Sequence, residues 1–212
     1  MLTDERLAYW YLRLNGFLAL ANVMIHPEVG KNPRGEIDVL GVRFPHRSEL
    51  LVNSMQDDPR FTADDKPLIV LGEVAQGRAK VNRTWLAPEA RNMERILRLV
   101  GAFPLQRVGE IAATLYEQGT YTDENYDLVV TAFGASPNPV LAQDLPQVPQ
   151  ITWREVATFI YERFHQHRNA KHYHAQWDEA GHELWDLYIQ HRSNPEAFYG
   201  ALVERCGLRE AA

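Results

Sequence analysis

Three segments of the chain are almost wholly apolar over the length of a β-strand, and they constrain the fold more than any other feature. They are GEIDVLGVRF (35–44), LIVLGEV (68–74) and YDLVVTAFG (126–134). A strand with one face in water alternates apolar and polar side chains, whereas a continuous apolar run is typical of a strand buried on both faces. Such strands need covering layers on both sides, so the sequence predicts an α/β architecture.

Helical periodicity accounts for much of the remaining chain. Thr3 is a candidate N-cap, and apolar residues recur at helical spacing from Leu7 to Leu18, with Asn15-Gly16 as the expected end of the helix. FLALANVMI (17–25) follows as a further predicted strand. Two more helices are expected within 88–100 and 108–119, between the second and third apolar segments.

Four prolines lie between Ala135 and Gln150, and the sequence after them is helical in pattern. In that later part, Thr152 and Glu155 have the spacing of a capping box. We therefore divide the chain into an α/β core (1–135), a Pro-rich linker (136–150) and a C-terminal helical region (151–212). The helical region is the expected surface for a homodimer contact or for a protein partner.

Composition excludes several classes of protein. The chain has 22 Lys and Arg against 28 Asp and Glu, a net charge of −6, which argues against a protein that coats nucleic acid by bulk charge. Cys206 is the single cysteine, so no internal disulfide or cysteine-based zinc site can form, and a reducing, cytoplasmic setting is expected. The acidic, amphipathic N-terminus is not typical of a signal peptide, and we expect no membrane association.

Two carboxylates stand in otherwise apolar strand segments. Asp38 lies in the middle of the first and Glu73 near the end of the second. A buried charge costs several kcal/mol unless it is paired or binds a metal. Neighbouring strands are about 4.8 Å apart, so two such carboxylates can converge on one cation. Oxygen ligands favour magnesium or manganese, which is the expected cofactor.

A helix with an acidic first turn, then GEIDVLGVRF, then LIVLGEVAQG resembles the core of the PD-(D/E)XK nuclease superfamily. The resemblance covers roughly residues 1–135 and implies a restriction-endonuclease-like core with a mixed central sheet, to which the helical region is an appendage. It implies that Asp38 and Glu73 bind the metal, with the main-chain carbonyl of Val74 and, less directly, Glu5. It also implies metal-dependent hydrolysis of nucleic acid, DNA rather than RNA being the favoured substrate.

The chain departs from the family at one position. The third family motif is Glu-x-Lys, and here it reads Glu73-Val74-Ala75, so the lysine is missing. Losing one preorganised charge of this kind typically costs on the order of 10²–10³ in rate. Three explanations stay open: a natural nuclease-like module that binds without cutting, another cation such as Lys80 or Arg78 in the lysine role, or an introduced inactivating alanine.

Polar and basic residues follow the motif and are candidates for nucleic-acid contacts. They are Arg78, Lys80, Asn82 and Arg83. Cations and amides contact phosphates, although the same cluster is also consistent with a solvated loop. Similarly, Asp38 has a structural alternative as the partner of Arg34 or Arg43, and Glu73 as the partner of Arg78.

Three functions therefore compete. The first is a metal-dependent nuclease. The second is a catalytically inactive nuclease-like module that binds nucleic acid or a protein. The third is a small-molecule phosphoesterase that uses the same metal pair, although no Gly-rich phosphate loop is present.

Overall fold

A computed structural model describes residues 1–26, 35–50, 55–61, 65–82, 84–173 and 177–209. The fold is α/β, with a mixed sheet of six strands, as the apolar segments predict. The strands are β1 (Leu18–Ile25), β2 (Gly35–Arg43), β3 (Leu68–Val74), β4 (Thr120–Thr122), β5 (Asp127–Gly134) and β6 (Gln150–Thr152).

The order of strands across the sheet is β1-β2-β3-β5-β4, and β6 also pairs with β5. Pairing is antiparallel from β1 to β3 and between β4 and β5, and it is parallel between β3 and β5 and between β5 and β6. The short strands β4 and β6 carry too few residues for a periodic signal, so their places are set by hydrogen bonds to β5.

Helices cover both faces of the sheet. The helices are α1 (Asp4–Leu14), α2 (Asn92–Val100), α3 (Val108–Gln118), α4 (Pro139–Asp144), α5 (Trp153–Gln166), α6 (Arg168–His172), α7 (Glu179–Gln190) and α8 (Pro195–Cys206). The predicted cap of α1 is present, because the Thr3 side chain accepts the Arg6 N–H. The predicted capping box of Thr152 and Glu155 opens α5.

Successive residues of β3 enter opposite hydrophobic clusters. Val70 packs in the cluster that contains Tyr11 and Trp153, on the side of α1 and α5. Leu71 packs in the cluster that contains Ile96 and Ile111, on the side of α2 and α3. The strand β3 is thus buried on both faces, which is why it reads as a continuous apolar run.

The Pro-rich segment contains the short helix α4, because Pro139 fits the first helical turn and the Asn138 side chain accepts the N–H groups of Val140 and Leu141. Beyond it, Trp153, Phe198 and Leu202 belong to the same hydrophobic cluster as Tyr11 of α1. Within the residues described, no helix is long and apolar enough to cross a membrane.

Candidate functional site

Asp38 and Glu73 lie side by side on neighbouring strands. Val39 of β2 pairs with Gly72 of β3, so the next rung of this antiparallel ladder brings Asp38 and Glu73 together. Both side chains line one cleft of about 780 Å³, together with Glu36, Lys80 and Asp144. We call this the acidic cleft, because four of those five side chains are carboxylic acids.

Backbone N–H groups hold the two carboxylates in place. Asp38 Oδ2 accepts the Val74 N–H at 2.7 Å. Glu73, which is only 6% exposed, accepts the Asn82 N–H at Oε2, at 3.2 Å. Each carboxylate therefore has further acceptor capacity for a ligand in the cleft, while the main chain sets its orientation.

The electrostatics of the pair disfavour two negative charges. Burial raises the pKa of Asp38 to about 6, and the nearby charges of Glu36, Glu5 and Asp4 add to the rise. Burial also raises the pKa of Glu73 to about 8, helped by the charge of Asp38 and opposed by that of Lys80. A cation between the carboxylates relieves both the burial cost and the repulsion.

The donor set fits a hard divalent cation. Two carboxylates are available in the acidic cleft, and Val74, whose main-chain carbonyl is the further candidate, also lines it. Oxygen donors of this kind suit magnesium or manganese, which retain several waters. Over the described ranges, no three His, Cys, Asp or Glu side chains are grouped to hold a metal, so the candidate set has two side chains.

Lys80 is the basic side chain that lines the acidic cleft in the part of the chain that the structure describes. The segment that carries it is fixed to the end of β5: the Ala79 N–H donates to the Ser136 carbonyl at 2.8 Å, and the Ala135 N–H donates to the Gly77 carbonyl at 2.6 Å. Gly134 permits this contact, because a Cβ there would lie 2.4 Å from the Ala79 nitrogen.

Ala75 is buried next to this site. Its carbonyl accepts the Trp153 Nε1–H at 3.1 Å, and its N–H donates to the Phe133 carbonyl at 3.0 Å. Ala75 lines a second opening of about 550 Å³ beside the acidic cleft, and Val74, Lys80 and Asn138 line both.

The second opening also has Gln76, Arg78 and Arg209 in its lining, with Asp4 as its one acid. We call the group Gln76, Arg78, Lys80 and Arg209 the cationic shelf. Arg78, Lys80 and Arg209 are all exposed. Lys80 therefore lies at the junction of an acidic cleft and a cationic shelf.

The other predicted site residues differ in their positions relative to the two openings. Asn82 lines the acidic cleft, but its side-chain Oδ1 accepts from the Thr84 N–H and hydroxyl, so the oxygen of this amide is engaged locally. Glu5 accepts the Thr3 hydroxyl at 2.7 Å and lines neither opening among the residues described. Arg83 lies outside the described residues.

The structural alternatives for the carboxylates are not realised where the structure describes them. Arg43 binds Asp57 at 2.9 Å rather than Asp38. Arg78 forms no ion pair with Glu73, and it lines the opening beside the acidic cleft instead. Arg34, the other candidate partner of Asp38, lies outside the described residues.

Sequence reasoning missed Glu36, Asp144, Asp4 and Arg209. Glu36 carries a signal, since it stands two residues before Asp38 and a strand repeats every two residues. Asp4 is 9% exposed, and burial together with its contact to Glu5 raises its pKa to about 6. Asp144 and Arg209 carry no local signal, because α4 and the segment after α8 meet the site only through the fold.

The chain matches no protein-family model, no curated protein and no solved structure.

Proposed function

We propose that this protein is a metal-dependent phosphodiesterase acting on nucleic acid, DNA in preference to RNA, with a restriction-endonuclease-like core. The observation that carries the proposal is the pairing of Asp38 and Glu73 in the acidic cleft, with no guanidinium or ammonium bound to either within the described residues. A fold that buries two adjacent carboxylates without a cation is more stable when a divalent metal ion binds them.

The chain's own groups have distinct parts in the reaction. A divalent cation held by Asp38 and Glu73 would offset the charge of a phosphodiester and would make a water molecule more acidic. Asp38 and Glu73 supply oxygen ligands, and the N–H groups of Val74 and Asn82 keep those oxygens oriented. The Lys80 Nζ donates hydrogen bonds to a phosphate oxygen and stabilises the charge that develops there.

Lys80 supports the second of the three explanations for Ala75. The position that follows Val74 has no charge, but an ammonium reaches the same cleft from the segment after β3. Position 75 also lies against Trp153, whose indole bonds to the Ala75 carbonyl. We infer that the chain as it stands cuts its substrate with Lys80 in the lysine role.

A nuclease assay tests the proposal. It uses magnesium or manganese, single- and double-stranded DNA and RNA, and the variants Asp38→Asn, Glu73→Gln and Lys80→Met. Asn and Gln retain an oxygen for the backbone hydrogen bonds, so these variants should fold. We expect losses in kcat of about 10³-fold or more for the carboxylates and about 10²-fold for Lys80→Met.

Glu117→Gln, at an exposed position of α3, is the matched control and should leave cleavage unchanged. Cleavage that survives Asp38→Asn and Glu73→Gln contradicts the proposal. So does a calorimetric titration in which manganese binds the unchanged protein and the double variant equally. Ala75→Lys measures whether position 75 can add to Lys80, and a large gain in rate would return the lysine role to position 75.

A second function is favoured by Ala75 itself. A nuclease-like module without the motif lysine can bind nucleic acid or a protein without cutting it. If no form cleaves any substrate while the protein still binds DNA, this function replaces the first. The contribution of the helical region to a homodimer or to a protein partner remains a prediction.

A further inference from the structure

The basic residues that follow Glu73 divide into two groups with different surroundings. Lys80 lines both the acidic cleft and the second opening, whereas Arg78 lines only the second opening. Between them, Ala79 is 1% exposed and points into the protein. The side chains of Arg78 and Lys80 are exposed, and the backbone on either side of Arg78 is held in place because Ala79 and Gly77 are hydrogen-bonded to the chain beyond β5.

Arg209 joins the cationic shelf from the opposite end of the chain. It follows Gly207, which ends α8 in the left-handed conformation at φ 63°. Leu208 is 6% exposed, and its N–H donates to the Val203 carbonyl at 3.0 Å. The buried Leu208 thus anchors the chain directly before Arg209. Arg209 lines the second opening together with Ala75 and Arg78.

The charges of the two openings are opposite. The acidic cleft has four carboxylic acids and Lys80, whereas the second opening has Arg78, Lys80 and Arg209 with one acid, Asp4. Arg78 and Arg209 form no ion pair with any carboxylate in the part of the chain that the structure describes. Guanidinium groups that are unpaired by the protein and converge on one opening are suited to phosphate oxygens.

We infer that Arg78 and Arg209 form a second phosphate subsite, so that the substrate is a nucleic-acid strand with a phosphate next to the one at Asp38 and Glu73. The inference rests on the proposed function and adds to it a second site that binds a neighbouring phosphate of the same strand. An ester with a single phosphate fills the acidic cleft but leaves the two arginines unused. An oligonucleotide fills both, with Lys80 between its two phosphates.

The test compares two substrates under manganese. Bis(p-nitrophenyl) phosphate has one phosphodiester, and a short oligonucleotide has several. The double variant Arg78→Ala with Arg209→Ala should raise KM for the oligonucleotide about tenfold, with kcat unchanged. It should leave both kinetic constants for bis(p-nitrophenyl) phosphate unchanged. The matched control is Arg98→Ala with Arg192→Ala, which removes the same charge from two other exposed positions.

Binding provides a measurement that does not depend on turnover. Fluorescence anisotropy with calcium and a labelled oligonucleotide gives Kd as a function of salt. Loss of two phosphate contacts should reduce the slope of log Kd against log salt by about 1.4 for a single strand and about 1.8 for a duplex. The control pair should not change the slope.

The outcomes separate the inference from the proposed function. Equal effects of the arginine variant on both substrates, or no effect on the oligonucleotide in kinetics and in binding, overturn the second subsite. If neither substrate is turned over, the proposed function is overturned instead. In that case a weakened oligonucleotide Kd in the arginine variant alone still supports the subsite, and an unchanged Kd removes it.

Discussion

The acidic cleft and a group of ion pairs around Asp57 both bury carboxylates, but only the second supplies cations for them. Asp57 bonds to Arg43, Arg47 and Arg163, each at 2.9 Å. The adjacent Asp58 bonds to Arg60 at 2.7 Å. We call these six residues the arginine network. No comparable partner is bound to Asp38 or Glu73 within the described residues.

The pKa values follow the same division. Burial alone raises the pKa of Asp58, but its bonds to Arg60 and to the Tyr11 hydroxyl lower it below the ordinary value. The pKa values of Asp38 and Glu73 are raised, because burial acts there without a bound cation. The buried carboxylates of the arginine network are paired with guanidinium groups, whereas Asp38 and Glu73 lie next to each other without a bound cation among the described residues, which supports the proposed ligand site.

The largest expected effect is the loss of the carboxylate at the centre of the arginine network. Asp57→Ala leaves the guanidinium groups of Arg43 and Arg163 buried without an anion, since the Arg43 and Arg163 side chains are 7% and 2% exposed. We expect the free energy of unfolding to fall by about 3–5 kcal/mol, as measured by urea denaturation. Glu117→Ala, at an exposed site, should change it little, and equal losses for both variants would contradict this account.

Removing a negative charge from the acidic cleft should raise the free energy of unfolding, which is the opposite of the effect of Asp57→Ala. The folded-state pKa of Glu73 is about 8 against an ordinary 4.5, so the folded metal-free protein binds this proton more tightly than the unfolded chain does. The destabilisation is absent below about pH 4.5 and grows as pH rises to about 8. Glu73→Gln should therefore stabilise the metal-free protein at pH 8 by on the order of 2–4 kcal/mol.

Urea denaturation in a chelator at pH 5 and pH 8 measures this effect, which should be small at the lower pH. A variant that is less stable than the unchanged protein at pH 8 would show that Glu73 has a structural cation. Glu117→Gln is again the control.

Metal ions should stabilise the protein through the acidic cleft and not through the arginine network. Manganese at 100 times its Kd should add about 2.7 kcal/mol to the free energy of unfolding. The gain should vanish in Asp38→Asn with Glu73→Gln and persist in Arg60→Met. Thermal unfolding with manganese and then with excess chelator measures it, and a gain that survives the double carboxylate change places the ion elsewhere.

The smallest expected effect is at the rim of the arginine network. Arg60 is 30% exposed at its side chain, so Arg60→Met should cost only about 1–2 kcal/mol at pH 7. The folded-state pKa of Asp58 is lowered, so its stabilising contribution is present above its ordinary pKa and is lost as pH falls through the folded-state value. The difference between Arg60→Met and the unchanged protein should thus shrink in acid, whereas Arg98→Met should show no difference at either pH.

Much of the fold can be predicted from the sequence. The three apolar segments predict β2, β3 and β5, and Thr3 and Thr152 are located where their helices begin. These signals are local, because a cap or a buried strand depends on residues within one element. The strands β4 and β6 and the helix α4 are too short to be recognised in that way.

What the sequence by itself determined is which groups are costly to bury: Asp38 and Glu73 stand in apolar strands and require a partner wherever the fold places them. Only the tertiary structure decided which charged groups lie near these carboxylates. It paired Arg43 with Asp57 rather than with Asp38, brought Lys80 to the acidic cleft, and placed Arg209, from the far end of the chain, at the second opening. Charges interact through space over several ångströms regardless of chain separation, so no local pattern contains these pairings.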